Sequence, residues 1–215
     1  MELEKGTFVR EFEIPAISET LNFYQKIEGD VSCVVWDASM VLSKYLEKKF
    51  LEEEDFLKDC DVVELGAGLG CVGITAACLG ARVIATDLPE CIPLLDLNID
   101  KNEHVWSKYG RIKSVPLKWG GDNNLDIPDR ILLADCVYYE QSIQPLIETL
   151  ISLSGPGTEI ILCQEIRESE NQQKYWRTFQ NHLEGHFEMK FVPLTEQNDE
   201  FCSPDIMLWR MRKKL

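Results

Sequence analysis

The sequence predicts a doubly wound α/β fold: a seven-stranded, mostly parallel sheet with one antiparallel strand, helices on both faces, and a small N-terminal β extension. Three observations predict it. Short buried apolar runs alternate with helix-period segments from Asp61 onward, the pattern of βαβ units. A glycine-rich turn, Glu64-Leu65-Gly66-Ala67-Gly68-Leu69-Gly70, joins the first run to a helix. The last two runs have no helix between them, so they pair antiparallel.

The elements follow in order. Alternating runs at Phe8 to Ile14 and Leu21 to Ile27 read as a hairpin within residues 1–35, the β extension. Residues 36–215 form the core of a single domain. Asp37 can N-cap a helix whose Ala38, Val41, Leu42, Tyr45 and Leu46 share one face. Asp61 to Leu65 is a buried strand, Cys71 to Leu79 a helix closed by Gly80, and Arg82 to Thr86 a second strand ending at Asp87. Pro89 starts a helix to about Lys101. Strands follow at Arg111 to Leu117 and Arg130 to Ala134. Ser142 opens a helix with Pro145 in its first turn and Gly155 at its end. Thr158 to Cys163 is a strand, Gln172 to Leu183 a helix, and Phe187 to Val192 and Ile206 to Met211 the closing strands.

Composition narrows the functions. At 215 residues the chain can bury one sizeable core. The charged start has no apolar signal region. Val62 to Ile84 is long and apolar, but it carries Glu64, Arg82 and several glycines, so it reads as strand, helix and strand rather than a membrane span. The eight cysteines form no CxxC pair, which gives no support to a zinc site and fits a reducing compartment: the cytoplasm, with the nucleus as a second location. His182 and His186 share a helix face without an evident third ligand, so no metal is expected. The net charge of −15 argues against nucleic acid; residues 1–100 carry −12 of it, a surface suited to a cationic partner.

In such a sheet, ligands bind at the carboxyl ends of the strands, near the switch in strand order. Four pieces fall there. Gly66, Ala67 and Gly68 let backbone approach a ligand and open a helix with free N–H donors. Gly68-x-Gly70-x-x-Gly73 equally fits a dinucleotide pattern, so the turn alone leaves a nicotinamide enzyme open. Asp87, 21 residues after Gly66, can accept hydrogen bonds from two ribose hydroxyls in either case. Trp119, after the third core strand, can flank an adenine. Asp135-Cys136-Val137-Tyr138-Tyr139, after the fourth, brings a carboxylate and phenols toward the reacting group.

These pieces in this order resemble the seven-β-strand (class I) methyltransferases, and more narrowly their non-histone protein-lysine branch. The segments that carry the likeness are Val34-Val35-Trp36-Asp37-Ala38, ELGAGLGCVG, Thr86-Asp87-Leu88, Leu117-Lys118-Trp119-Gly120 and Ala134 to Glu140. It runs from about Cys33 to the C-terminus, and residues 1–30 match poorly. The resemblance implies S-adenosylmethionine as cofactor, held by Trp36, Glu64, Gly66, Ala67, Gly68, Asp87, Trp119 and Ala134. It implies Asp135 and Tyr138 as the catalytic pair at the substrate lysine, with Tyr139, Glu165 and Arg167 beside it. It implies a protein partner, an AAA ATPase chaperone being the candidate. A small-molecule methyltransferase is the nearer rival, though no lid element is evident, and an oxidoreductase the more distant one.

Overall fold

The computed structural model describes residues 6–29 and 31–214; the expectations for residues 1–5, 30 and 215 lie outside them. The N-terminal hairpin is β1 (Thr7–Ile14) and β2 (Glu19–Lys26). The core runs α1 (Asp37–Glu52), β3 (Asp61–Leu65), α2 (Cys71–Cys78), β4 (Arg82–Asp87), α3 (Ile92–Lys101), a short α4 (Glu103–Trp106) and β5 (Arg111–Pro116). It continues β6 (Arg130–Ala134), α5 (Glu140–Leu153), β7 (Glu159–Glu165), α6 (Glu170–His186), β8 (Phe187–Phe191) and β9 (Ile206–Lys213).

The seven core strands lie in the order β5-β4-β3-β6-β7-β9-β8. All pair parallel except β9, which runs antiparallel to both β7 and β8. The reversed strand therefore sits between its neighbours rather than at the sheet's edge. Side-chain alternation divides the core in two. Val62, Leu132, Ile161 and Cys163 face α1 and α2. Val63, Leu65, Ile131, Leu133, Ile160 and Leu162 face α5 and α6. Both faces of these strands are covered, which is why they read as continuous apolar runs. Val62 to Ile84 resolves into β3, α2 and β4, and among the described residues no helix is long and apolar enough to cross a membrane.

Three local expectations need correction. Trp36, not Asp37, is the N-cap of α1; Asp37 is its first residue, at the positive end of the helix dipole. The helix after Asp87 begins at Ile92 with Pro93 in its first turn, because Leu88 to Cys91 first makes a turn closed by Cys91 N–H on the Leu88 carbonyl. α5 begins at Glu140, so Pro145 falls in its second turn and removes the bond Gln141's carbonyl would accept.

The hairpin buries Phe12, Ile14, Leu21 and Phe23 in the core, and polar side chains rather than a further strand fix its position there. Asn98 Oδ1 accepts from Tyr24 N–H at 2.7 Å, and its Nδ2 donates to the Tyr24 carbonyl at 3.1 Å. Asn102, one turn on, does the same for Asn22 at 2.8 and 3.0 Å. Both asparagines are fully buried and copy a ladder partner at the free edge of β2. At the hairpin's corner the buried Lys44–Glu47 pair binds the Glu13 carbonyl and the Ala16 N–H. Gln25 Oε1 accepts from Val35 N–H at 2.7 Å, fixing the segment that leads into α1.

Asn98→Ala leaves a buried N–H and carbonyl of Tyr24 without partners. It should lower unfolding free energy by about 1–3 kcal/mol, read from urea melts. Amide exchange at Tyr24 should accelerate while that of β3 and β6 keeps pace only with global unfolding.

Candidate active site

β3 and β6 are neighbours, yet the chain leaves β3 toward β4 and β5 before returning to β6. The crevice opens at that switch. A cavity of about 340 Å³ lies there, within the range of about 300–1,000 Å³ typical of small-molecule sites. Trp36, Gly66, Ala67, Gly68, Asp87, Trp119, Ala134, Asp135, Tyr138, Tyr139 and Arg167 all line it. The structure thus brings together residues from six separate segments of the sequence.

The glycine turn is held open by its neighbours. Gly66 has φ +66°, and a Cβ there would lie 2.8 Å from Cys136 Sγ and 3.1 Å from the Trp119 ring. Only glycine lets the Trp119 indole lie flush against the turn. Asp87 Oδ2 accepts from Gly68 N–H and its Oδ1 from Leu88 N–H, each at 2.7 Å. Each oxygen keeps lone-pair capacity toward the cavity, the requirement for holding a ribose diol. An aromatic wall, a tight glycine turn and a carboxylate fit an adenosyl group.

Glu64 does not line this cavity. Its buried Oε2 turns to Gly73 N–H at 2.9 Å, behind the turn, tying β3 to α2. A Cβ at position 73 would collide with that carboxylate. The third glycine of the dinucleotide-like pattern is therefore a packing glycine for Glu64. Burial, opposed by the Gly73 bond and reinforced by Asp87, pushes the Glu64 carboxyl up to about 8.

Asp135 is a left-handed residue, φ +54°, at the end of β6, with its N–H bonded to the Cys163 carbonyl. That turn aims the side chain into the cavity rim while burying it. Oδ1 accepts from Gln164 Nε2 at 2.7 Å, and Oδ2 from Arg167 Nη2 at 2.5 Å. Burial pushes its carboxyl up to about 6; Arg167 pulls down, while Glu165 and Asp37 push up. Arg167 also lies over the Trp36 ring, 5.1 Å from its centroid, and Trp36 Nε1 donates to the Val31 carbonyl. The rings of Tyr138 and Tyr139 stand 4.6 Å apart at the same rim.

Glu165, like Glu64, does not line the cavity: it stands behind Arg167, 3.6 Å from its Nη2. Sequence reasoning missed Gln164, whose amide bridges Asp135 and, through Oε1, Val137 N–H. The sequence reading ends this strand at Cys163, whereas β7 runs on through Gln164 to Glu165. Lys118, Ser32 and Ser39 also line the cavity without a distinguishing pattern.

Residues 16–182 match the family model described as lysine methyltransferase. The chain belongs to the lysine methyltransferase family. It is an S-adenosylmethionine-dependent methyltransferase, and the nicotinamide reading of the glycine turn falls. It is 37% identical over 177 residues to the Danio rerio protein N-lysine methyltransferase METTL21A, spanning 79% of this chain and 74% of that one. It is 34% identical over 200 residues to the Mus musculus EEF1A lysine methyltransferase 3, spanning 92% and 79%. Among solved structures it is similar to the T. thermophilus 16S rRNA N2 G1207 methyltransferase (RsmC) in complex with AdoMet and guanosine. The TM-score is 0.65 at 16% identity, over all of this chain and 52% of that one, a likeness of fold alone.

Glu64 binds a proton more tightly folded than unfolded. Its contribution to stability is complete below about pH 4.5 and lost as pH rises through about 8. Urea midpoints of the wild type, taken relative to Glu64→Gln, should therefore fall between pH 5 and pH 8. A constant difference would contradict a protonated Glu64.

Proposed function

We propose that this lysine methyltransferase acts on a non-histone protein, and that Asp135 and Tyr138 receive the target lysine at the cavity rim. The carrying observation is the buried Asp135 carboxylate, aimed into the rim of the cavity beside Tyr138. The lysine methyltransferase names of the relatives support a protein acceptor. The aromatic rim suits a single extended side chain entering from solvent. We further propose a chaperone-type AAA ATPase, the valosin-containing one, as the protein. Support comes from the likeness of the Cys33-to-C-terminus segments to the methyltransferase of that ATPase, and from a net charge of −15 that favours a cationic target segment over nucleic acid. A reducing compartment, the cytoplasm with the nucleus second, accords with eight free cysteines. The two clusters meeting across one sheet support a single domain.

S-adenosylmethionine supplies an electrophilic sulfonium methyl. Gly66, Ala67 and Gly68, with Asp87, Trp119, Ala134 and Trp36, hold its adenosyl and methionine parts. The lysine nitrogen must arrive neutral, with its lone pair free to take up the methyl group that the sulfonium would supply. At pH 7 deprotonating a free lysine costs roughly 4–5 kcal/mol. Burial against Tyr138 and Tyr139 and repulsion from the sulfonium reduce that cost, and the proton leaves to water. Asp135 captures and aligns the amine and Tyr138 orients it, and alignment supplies much of the rate.

The test pairs the purified chain with tritiated S-adenosylmethionine and the purified ATPase hexamer, mapping label by mass spectrometry. Label on one ATPase lysine supports the reading; label only on other proteins rejects this partner, and label only in small molecules rejects protein methylation. Asp135→Asn tolerates the left-handed backbone. It should lower kcat at least about 100-fold while calorimetric affinity for S-adenosylmethionine stays within a few-fold.

A further inference from the structure

A lone carboxylate at a lysine site has a chemical drawback. It attracts the ammonium, but it also holds it as an ammonium, which cannot attack a methyl group. The surroundings of Asp135 bear on this. Beside it stand Glu165 at the end of β7 and Asp37 in the first turn of α1, both acidic. Tyr138 and Tyr139 share its loop, and Asp87 and Lys118 lie across the cavity. The cation bonded to the carboxylate is Arg167, Nη2 to Oδ2 at 2.5 Å. Its guanidinium is fixed from two more sides, by Glu165 and by the face of Trp36. Gln164 takes the other oxygen with a neutral donor. A guanidinium keeps its charge across the working pH range and offers a planar fork.

We propose that Arg167 is a positioning residue for methyl transfer: by pairing with Asp135 it offsets the carboxylate's charge, which Glu165 and Asp37 reinforce. Asp135 then holds the incoming lysine by hydrogen bonding without fixing it as an ammonium. A carboxylate has about four acceptor sites, so Arg167 and Gln164 leave room for the amine. Trp36 and Glu165 keep the guanidinium in place while the lysine enters. This rests on the function proposed above, since it concerns the amine that Asp135 receives.

The test is the pH dependence of kcat and KM for methylation of the ATPase, at saturating S-adenosylmethionine, in wild type, Arg167→Gln and Arg167→Lys. Arg167 is 31% exposed at its side chain, so both substitutions are compatible with folding. In Arg167→Gln the bare carboxylate should raise the proton affinity of the bound lysine. The rising limb of kcat should move up by about one pH unit, about tenfold less turnover at pH 7. Turnover should recover at alkaline pH and KM should not rise. Arg167→Lys, which keeps the charge, should retain the wild-type limb. A purely structural role predicts instead a loss at every pH, in both variants, without recovery; that result, or an unshifted limb in Arg167→Gln, overturns the proposal. Absence of transfer to any protein lysine by the wild type overturns the function and this inference together, whereas wild-type transfer with matching pH profiles overturns this inference alone.

Discussion

The parallel pairing of β3 with β6, from Val62↔Arg130 to Leu65↔Leu133, is the constraint from which the site follows. Both strands end at the same level and their connections leave in opposite directions, so a crevice must open between Gly66 and Asp135. Each end then needs backbone that ordinary residues avoid. β3 meets this with glycines at 66, 68 and 70, all at positive φ; β6 meets it with Asp135, of the residue class that tolerates the left-handed region. The turn at Asp135 is stabilised by its own N–H on Cys163. Side-chain direction, and hence chemistry, is set by these two strand ends before any ligand arrives.

The N-terminal hairpin belongs to the same logic at one remove. Its strands lie away from the crevice, but the chain leaving β2 passes through Val31 to Trp36, several residues of which form the cavity wall. That passage is anchored at Gln25 and Val35, and the hairpin behind it by Asn98 on α3 and Asn102 at its C-cap. α3 follows Asp87 after the Leu88–Cys91 turn. The ribose-side strand and the Trp36 wall are thus positioned through one helix, by amide groups that a mainly apolar interface would not orient.

The alternation of runs, the glycine turn and the strand-end residues were legible because each reflects a local rule: period two, period 3.6, or a backbone angle. Their assembly into one cavity was legible too, since strand order in a parallel sheet is tightly restricted. What escaped is side-chain direction at strand ends. Glu64 follows the alternation of β3 and so faces α2, where Gly73 makes room for it; the motif alone could not tell that face from the ligand's. Glu165 and Arg167 were recognised as a pair, but which of them enters the cavity depends on how the backbone leaves β7. Gln164 was missed because the apolar run stops at Cys163, and nothing local shows that β7 continues two residues further. The asparagines of α3 escaped for a different reason: on a helix they pass for solvent-facing residues, and only the docked hairpin explains their burial.

The three carboxylates around the crevice show how an acidic chain manages a cationic reaction. Asp87, bonded by two backbone N–H groups, stands where a neutral diol is expected. Glu64 sits too deep to be solvated, and burial pushes its carboxyl up to about 8 beneath the turn. Of the three, Asp135 alone has a guanidinium partner. A charge left bare at that depth would be costly to bury and would stabilise the lysine in its unreactive form. In the role proposed for Arg167, pairing answers both difficulties with one residue, because the desolvation that makes an isolated anion unfavourable strengthens the ion pair. The geometry of Arg167, held by Trp36 on one side and Glu165 on another, is what that solution requires.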